Sequence, residues 1–228
     1  MQLFKDLFYL FFPEICLNCK LQLRQNESLI CTICRHDFPK TNFSNTPDNI
    51  LEKKFYGRIP IKSGTSLFFY HTNGKVQQII HQLKYKNQEE VGTLFGNWLA
   101  SEMQESNRFK NIDYIVPVPL HPNKRKKRGY NQLTKFGHVL ADQLNAVFIE
   151  NKLIKIKSTE TQTKKSLIER WRNVDELFEL SDTTFFENKH LLLIDDVITT
   201  GATIETCANQ LLKTKNIKIS IAVMAYTE

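Results

Sequence analysis

The chain has 228 residues, of which 41% are hydrophobic and 24% are charged, and its formal net charge is +7. This length and apolar content fit one domain of ordinary size plus a small appendage and exclude a disordered chain. The segment 121–135 holds six Lys/Arg and no acidic residue, and the segment 151–172 holds seven Lys/Arg and two acidic residues, so the rest of the chain is net −4. Two basic segments on a mildly acidic body indicate a polyanionic ligand, such as a diphosphate, a nucleotide or a nucleic acid; solvated charge that aids solubility is the alternative.

The N-terminal segment, Met1–Pro13, is apolar enough to resemble a signal peptide. However, Lys5 and Asp6 interrupt the apolar run, and no small-residue cleavage site follows. Its apolar residues recur at helical spacing, which predicts a short amphipathic helix packed on the body, with contact to a membrane surface as the alternative. No stretch approaches the length needed to span a membrane. We therefore expect a cytoplasmic protein.

Four of the five cysteines form two close pairs, Cys16 with Cys19 and Cys31 with Cys34, and eleven residues separate the pairs. Two Cys-x2-Cys pairs are the ligand pattern of a structural, tetrahedral zinc site. Metal binding would replace the hydrophobic core that so short a segment cannot build. Disulfides are the alternative, disfavoured because no export signal is recognised. The fifth cysteine, Cys207, lies on the apolar face of a predicted helix and is expected to be a core residue.

Composition divides the chain into three parts. Residues 1–40 hold the amphipathic segment and the zinc-binding module, and residues 63–228 hold the periodic apolar patterns of a folded domain. Between them, residues 41–62 are polar and contain Pro47 and Gly57, which is typical of a linker.

Strand and helix patterns alternate in the third part. Short apolar runs predict strands at 66–70, 113–118, 147–149, 191–194 and 217–224. Apolar residues spaced three and four apart predict helices whose buried faces cover 76–83, 91–99, 133–144 and 204–212. Strands that alternate with helices predict an α/β fold, in which helices flank a parallel sheet and the crossovers are right-handed.

A strongly basic loop follows the second predicted strand. Val116–His121 ends that strand, and Pro122–Gln132 leads into the next helix. Arg125 and Arg128 in this loop can each make bidentate contacts to phosphate oxygens, and the neighbouring lysines add point charges. The pattern therefore indicates a contact with diphosphate or a longer polyanion.

The segment 191–204 is the most informative part of the chain. Four apolar residues, Leu191–Ile194, precede Asp195 and Asp196, and the small-residue loop Thr199–Thr203 follows. Open α/β sheets bind ligands at the carboxyl ends of their strands. Backbone N–H groups at a helix N-terminus, with threonine hydroxyls around them, form an anion site. An acidic pair beside an anion site predicts a ligand with both hydroxyls and a phosphate; a capped helix with solvated acids is the plain alternative.

This segment resembles the phosphoribosyl diphosphate (PRPP) motif of the type I phosphoribosyltransferases. It is not a P-loop, because no Gly-Lys-Ser/Thr follows. The resemblance implies that Asp195 and Asp196 are the catalytic acids and face the ribose hydroxyls, directly or through magnesium-bound water. It also implies that the 5′-phosphate is held by the loop residues Thr199, Thr200, Gly201, Ala202 and Thr203.

The order of the other motifs narrows the resemblance to the ComF family. The cysteine pairs are followed by Leu83-Lys84-Tyr85, by Pro-Val-Pro-Leu-His121 with an Arg128-Gly-Tyr-Asn-Gln132 ending, by Gln162 with Arg170-x-x-Asn173, and then by the PRPP motif. The chain is similar to this family over nearly its whole length. ComF-family proteins are competence proteins associated with DNA uptake in natural transformation, and they are described as amidophosphoribosyltransferase-like.

The resemblance implies further site residues and cofactors. Contacts to diphosphate or another polyanion would come from His121, Arg125, Arg128, Gln162 and Arg170. The second basic segment lies where phosphoribosyltransferases place a mobile hood, which would shield the reacting ribose from water. Zn²⁺ would be structural, and Mg²⁺ would accompany PRPP. The first basic loop is longer and more basic than the glycine-rich diphosphate loop of better characterised phosphoribosyltransferases, which leaves room for a longer polyanion such as single-stranded DNA.

Three functions follow from these patterns. The first is PRPP-dependent phosphoribosyl transfer to an unidentified acceptor, for which no residue is an obvious general base. The second is a non-catalytic accessory of DNA uptake that binds single-stranded DNA or a competence helicase. The third is a sensor of PRPP or a nucleotide. The intact PRPP motif favours ligand binding in all three, so we expect a PRPP/Mg-binding protein of competence, with transfer as the favoured activity and the oligomeric state open.

Overall fold

The computed structural model of the protein describes residues 12–120, 129–156 and 178–227. The strands within these ranges are β1 (Ser63–Phe69), β2 (Tyr114–Pro117), β3 (Val147–Phe148), β4 (Leu153–Lys155), β5 (Phe178–Leu180), β6 (His190–Ile198) and β7 (Lys218–Tyr226). The α-helices are α1 (Thr32–His36), α2 (Ile50–Lys53), α3 (Lys75–Tyr85), α4 (Glu90–Glu105), α5 (Thr134–Leu144) and α6 (Ala202–Leu211), and 3-10 turns lie at Phe43–Asn45 and Asn107–Phe109. The predicted N-terminal amphipathic helix lies outside the described residues.

Five strands form one parallel sheet in the order β1-β7-β6-β2-β3, with β6 at its centre. Helices lie between the strands along the chain, as parallel pairing requires. The side chains of Leu191–Ile194 are fully buried although they alternate between the two faces of the sheet, so both faces are covered. The predicted α/β fold with a parallel sheet is confirmed.

The central strand is longer than its apolar run. Asp195 pairs in register with Val223 of β7, and Ile198 pairs with Tyr226, so β6 continues through the acidic pair. Since successive side chains of a strand point to opposite faces, the two aspartates lie on opposite faces of β6. The sequence placed both acids at the end of the strand; the structure places them within it.

A two-stranded antiparallel ribbon, β4 with β5, lies outside the main sheet. The sequence did not predict it because each strand has only three residues and 22 residues, 156–177, separate them.

The segment 41–62, expected to be a linker, contains the first 3-10 turn and α2 and packs into the core. Phe43, Leu51 and Phe55 are buried, the last two fully. Asn49 caps α2 by accepting from the Glu52 N–H at 3.1 Å and donates from its own amide to the Gly64 carbonyl at 2.9 Å. The polar composition of this segment concealed a few large apolar anchors.

Candidate functional site

The four paired cysteines converge in the N-terminal module. Their Sγ atoms all lie within 4.8 Å of one another. The Sγ atoms of Cys19 and Cys31 are 3.7 Å apart, close to the edge of about 3.8 Å of a tetrahedron of thiolates about 2.3 Å from a zinc ion. Cys207 is buried elsewhere, in α6. The geometry of the four cysteines therefore fits one metal ion.

Hydrogen-bond donors surround the cysteine sulfurs. The Cys31 N–H donates to Cys16 Sγ at 3.3 Å, and the Asn18 side-chain amide donates to Cys34 Sγ at 3.2 Å. Burial raises the pKa of Cys16, but hydrogen bonds from backbone N–H groups, that of Cys31 first among them, lower it by more. The resulting pKa of Cys16 is about 6. Such outer hydrogen bonds orient thiolate ligands and stabilise their charge.

The cysteine module is docked on helix α3 at both ends of the helix. Lys75 in its first turn forms a 2.7 Å ion pair with Asp37, and Gln82 in its last turn donates to the Leu17 carbonyl at 2.6 Å. The buried Cys16 is part of the same hydrophobic cluster as the sheet residues. The module therefore packs against the sheet domain through a defined helix.

The small-residue loop between β6 and α6 forms a narrow cleft, here called the loop cleft. Its lining residues are Asp195, Val197, Ile198, Thr199, Thr200, Gly201, Ala202, Thr203 and Ile204. Gly201 precedes the first residue of α6 and has a φ of 80°, in the left-handed region that favours glycine. The first backbone N–H groups of α6 have no partners within the helix and carry its positive dipole end. The loop cleft is therefore suited to an anion.

Residues in the segment around α2 contact this loop and hydrogen-bond to its backbone carbonyls. Lys54 donates to the Thr199 carbonyl at 2.8 Å, and Arg58 donates to the Thr200 carbonyl at 3.1 Å. Arg58 also forms an ion pair with Glu205 in the first turn of α6. The fully buried ring of Phe55 lies against Gly201. These residues were not predicted to be functional, because they lie in the polar segment 41–62, which was expected to be a linker.

The two acids of β6 have different environments. Asp195 lines the loop cleft, and its Oδ1 accepts from the Asp196 backbone N–H at 2.8 Å. Asp196 is buried on the other face, where its Oδ1 pairs with Lys84 at 2.8 Å and its Oδ2 accepts from the Gln132 amide at 2.8 Å. The acidic pair thus consists of one carboxylate at the cleft and one held by two side chains.

Loss of water and the nearby charge of Asp196 both raise the pKa of Asp195. The N–H of Asp196 and the charges of Lys84 and Lys155 act in the opposite direction without overcoming them. Two adjacent carboxylates in a shielded position resist carrying two negative charges. A ligand with a cation, or with hydroxyl donors, would relieve this repulsion.

Three of the motifs that define the family resemblance meet at Asp196. Lys84 belongs to Leu83-Lys84-Tyr85, and Gln132 belongs to the segment that ends the basic loop. The Tyr130 hydroxyl, from that same segment, donates to the Leu83 carbonyl. Lys84 and Gln132 are functional candidates whose roles could not be assigned from the sequence. Their positions in motifs shared with a family were the only sequence signal.

The predicted polyanion contacts lie outside the described residues, namely His121, Arg125, Arg128, Gln162 and Arg170. The described ends of the two basic segments lie around a second cleft of about 260 Å³, here called the side cleft. It is lined by Pro119, Leu120, Asn131, Glu150, Leu153, Ile154 and Lys155. Leu120 is the last described residue before 121–128, and Lys155 is the last but one before 157–177.

Comparison with known proteins assigns the domain. Residues 134–228 match the family described as phosphoribosyl transferase domain. With the parallel sheet, this match defines a phosphoribosyltransferase-like domain. The structure of glutamine PRPP amidotransferase from Bacillus subtilis, complexed with ADP and GMP, aligns with a TM-score of 0.42 and 18% identity over 62% of this chain and 30% of that chain.

Curated relatives support the resemblance to the ComF family. Competence protein ComFC of Bacillus subtilis is 25% identical over 201 residues, which are 88% of this chain and 78% of the relative. DNA utilization protein YhgH of Salmonella typhi is 30% identical over 138 residues, and the match spans 59% of this chain and 60% of the relative's length. These relatives confirm the predicted resemblance: the chain is similar to ComF-type, phosphoribosyltransferase-like proteins. Among the described residues, no helix is both long enough and apolar enough to cross a membrane.

Proposed function

We propose that this protein binds PRPP with Mg²⁺ at Asp195–Thr203 and serves DNA uptake in natural transformation. One observation supports PRPP as the ligand. The carboxylate of Asp195 and the loop Thr199–Thr203 line the same cleft, only a few residues apart at the end of β6 and the start of α6. The names of the relatives, a competence protein and a DNA utilization protein, support the biological role.

The loop cleft and the neighbouring carboxylate of Asp196 would each hold one part of the ligand. Backbone N–H groups and threonine hydroxyls of Thr199–Thr203 would bind the 5′-phosphate. Asp195 would accept hydrogen bonds from a ribose hydroxyl, and Asp196 would accept through the lone pairs that Lys84 and Gln132 leave open. When bound, Mg²⁺ would screen the charge of the diphosphate.

Phosphoribosyl transfer would follow from positioning and charge stabilisation rather than from a general base. Arg125 and Arg128 would stabilise the departing diphosphate by bidentate contacts, and His121, Gln162 and Arg170 would contribute further polar contacts. Glu150 and Lys155 border the side cleft, and the acceptor would enter there. An enzyme would transfer the phosphoribosyl group to this acceptor, whereas a sensor would bind PRPP without transfer.

The cysteine module would hold a structural Zn²⁺ through Cys16, Cys19, Cys31 and Cys34. The convergence of the four sulfurs supports this proposal, because four thiolates are a donor set that zinc prefers. Reduced thiols that serve as metal ligands also fit the cytoplasm better than an oxidising compartment.

The first test is calorimetric titration with PRPP and Mg²⁺. Wild-type protein is expected to bind, and Asp195→Asn is expected to weaken binding about ten- to hundredfold, because a hydrogen bond to a charged group contributes about 1.5–3 kcal/mol. Asp142→Asn, the same chemical change on an exposed position of α5, serves as the matched control and should bind as wild type does.

The titration can contradict the proposal in two ways. Absence of binding by the wild-type protein would remove both the enzyme and the sensor. Equal affinities for Asp195→Asn and Asp142→Asn would mean that the ligand lies elsewhere. If PRPP binds, release of diphosphate in the presence of candidate acceptors distinguishes an enzyme from a sensor.

A second candidate function is a single-stranded DNA accessory, favoured by the two basic segments whose described ends border one cleft. Its affinity for an oligonucleotide should fall as salt rises, with a slope of about −0.7 per phosphate neutralised, measured by fluorescence anisotropy. The double variant Arg125→Gln/Arg128→Gln should have a slope smaller in magnitude by about one to two. A salt slope near zero for the wild-type protein would argue against phosphate-driven DNA contact.

A further inference from the structure

Among the ion pairs that the described residues form at the cleft end of β6, the pair of Lys84 and Asp196 is the most shielded. The Lys84 side chain is 21% exposed and the Asp196 side chain is 10% exposed, and their charged atoms are 2.8 Å apart. The second oxygen of Asp196 is bonded to Gln132. A carboxylate with a charged partner on one oxygen and an amide on the other has a fixed orientation.

We propose that Lys84, with Gln132, is a positioning residue that fixes the Asp196 carboxylate as an acceptor for a ribose hydroxyl of PRPP. This inference rests on the proposed function. It assigns the two acids different tasks: Asp195 faces the loop cleft directly, and Asp196 depends on two neighbours for its orientation.

The charge balance at this site supports that division. Two carboxylates in adjacent residues of a shielded strand repel each other, and the positive charge of Lys84 beside them offsets part of this repulsion. Lys84 contacts Asp196 directly. A carboxylate offers about four acceptor sites, so two bonds to protein groups leave capacity for ligand hydroxyls.

The two positioning groups are themselves held in place. Lys84 lies in the last turn of α3, and the Leu83 carbonyl beside it accepts from the Tyr130 hydroxyl. Gln132 is buried just before α5, and the adjacent Asn131 Oδ1 accepts from the Leu133 N–H at 3.1 Å. The hydrogen bond from Tyr130 to Leu83 therefore links the last turn of α3 to the segment before α5, and these two segments supply the two partners of the Asp196 carboxylate.

The competing role for Lys84 is a direct contact with a ligand phosphate. The two roles predict different couplings, because a residue that acts through Asp196 loses its effect once Asp196 is neutral. A double-variant cycle of Lys84→Met and Asp196→Asn, with the affinity for Mg²⁺ and PRPP as the readout, therefore distinguishes them. Removing both charges also avoids leaving one charge shielded and unpaired.

We expect Lys84→Met to weaken PRPP binding about ten- to hundredfold in the wild-type background and less than about twofold in the Asp196→Asn background. Lys75→Met is the matched control, since it also removes a lysine charge from α3. In the wild-type protein, Lys75 pairs with Asp37 of the cysteine module and not with Asp196. This variant should bind PRPP as the wild type does. Circular dichroism and thermal unfolding show that each variant is folded.

The outcomes separate this inference from the proposed function. An unchanged affinity in Lys84→Met, or an equal loss in both backgrounds, overturns the positioning role while PRPP binding stands. No binding by the wild type overturns both. If Lys84→Met does not fold, Gln132→Met replaces it in the cycle; its effect should likewise disappear in the Asp196→Asn background, and persistence of the effect there overturns the inference.

Discussion

Replacing Gly201 with alanine is expected to weaken binding of Mg²⁺ and PRPP by more than tenfold and to lower the free energy of unfolding by about 2 kcal/mol or more. Gly201 has a φ of 80°, a conformation that costs a residue with a Cβ about 1–2 kcal/mol. A Cβ at this position would also lie 2.9 Å from the Phe55 ring. Because that ring is fully buried, it cannot move away without disturbing the core.

Gly57→Ala separates the two causes. Gly57 has a φ of 71°, and a Cβ there would meet no atom within 4 Å, so this variant has the backbone strain without the clash. Urea denaturation and calorimetric titration of both variants measure the difference. Equal losses of stability would show that the contact with Phe55 is unimportant, and normal PRPP affinity in Gly201→Ala would show that the loop does not hold the phosphate.

Much of the fold was predictable because its signals are local. The apolar run Leu191–Ile194 fills a strand that is buried on both faces, and the helical spacing of Val76, Ile79 and Leu83 reproduces the buried face of α3. The paired cysteines predicted their own convergence, since residues two positions apart can both reach one ion. In each case the sequence distance over which the pattern acts is short.

The supporting residues of the site were not predictable in this way, because they act over long sequence distances. Lys54 contacts the Thr199 carbonyl, 145 residues away, and Gln132 contacts Asp196, 64 residues away. A single lysine or glutamine has no periodicity that reveals its partner. The folded sheet places the end of β6 between the segment around α2 and the segment before α5. This arrangement brings Lys54 to Thr199 and Gln132 to Asp196.

The same physical reason explains the misinterpreted segment 41–62. Its few apolar residues are too widely spaced to produce a strand or helix pattern, yet Leu51 and Phe55 are fully buried. Burial of individual large side chains depends on what covers them rather than on local periodicity. One consequence is functional: the residues that support the proposed phosphate loop belong to the N-terminal half of the chain, outside the segment 134–228 that matches the phosphoribosyl transferase domain.

Replacing Cys34 with serine is expected to reduce bound zinc from about one ion per chain to near zero and to destabilise the cysteine module. The buried Cys34 is one of four sulfurs within 4.8 Å of one another, and three thiolates hold zinc much less tightly than four. Since zinc binding contributes about 10–16 kcal/mol to the folding of small zinc modules, its loss should expose the module to proteolysis. Metal analysis and limited trypsin digestion measure both effects.

Cys207 provides the matched control for this substitution. It is fully buried in α6 and has no part in the four-sulfur cluster, so Cys207→Ala should retain one zinc ion per chain. Thiol titration of the denatured wild-type protein with a chelator and without reductant adds an independent measurement. Five reactive thiols are expected if the cysteines hold a metal, because all five would be reduced. A single reactive thiol would indicate two disulfides and would contradict the metal site, since oxidised sulfurs cannot serve as thiolate ligands.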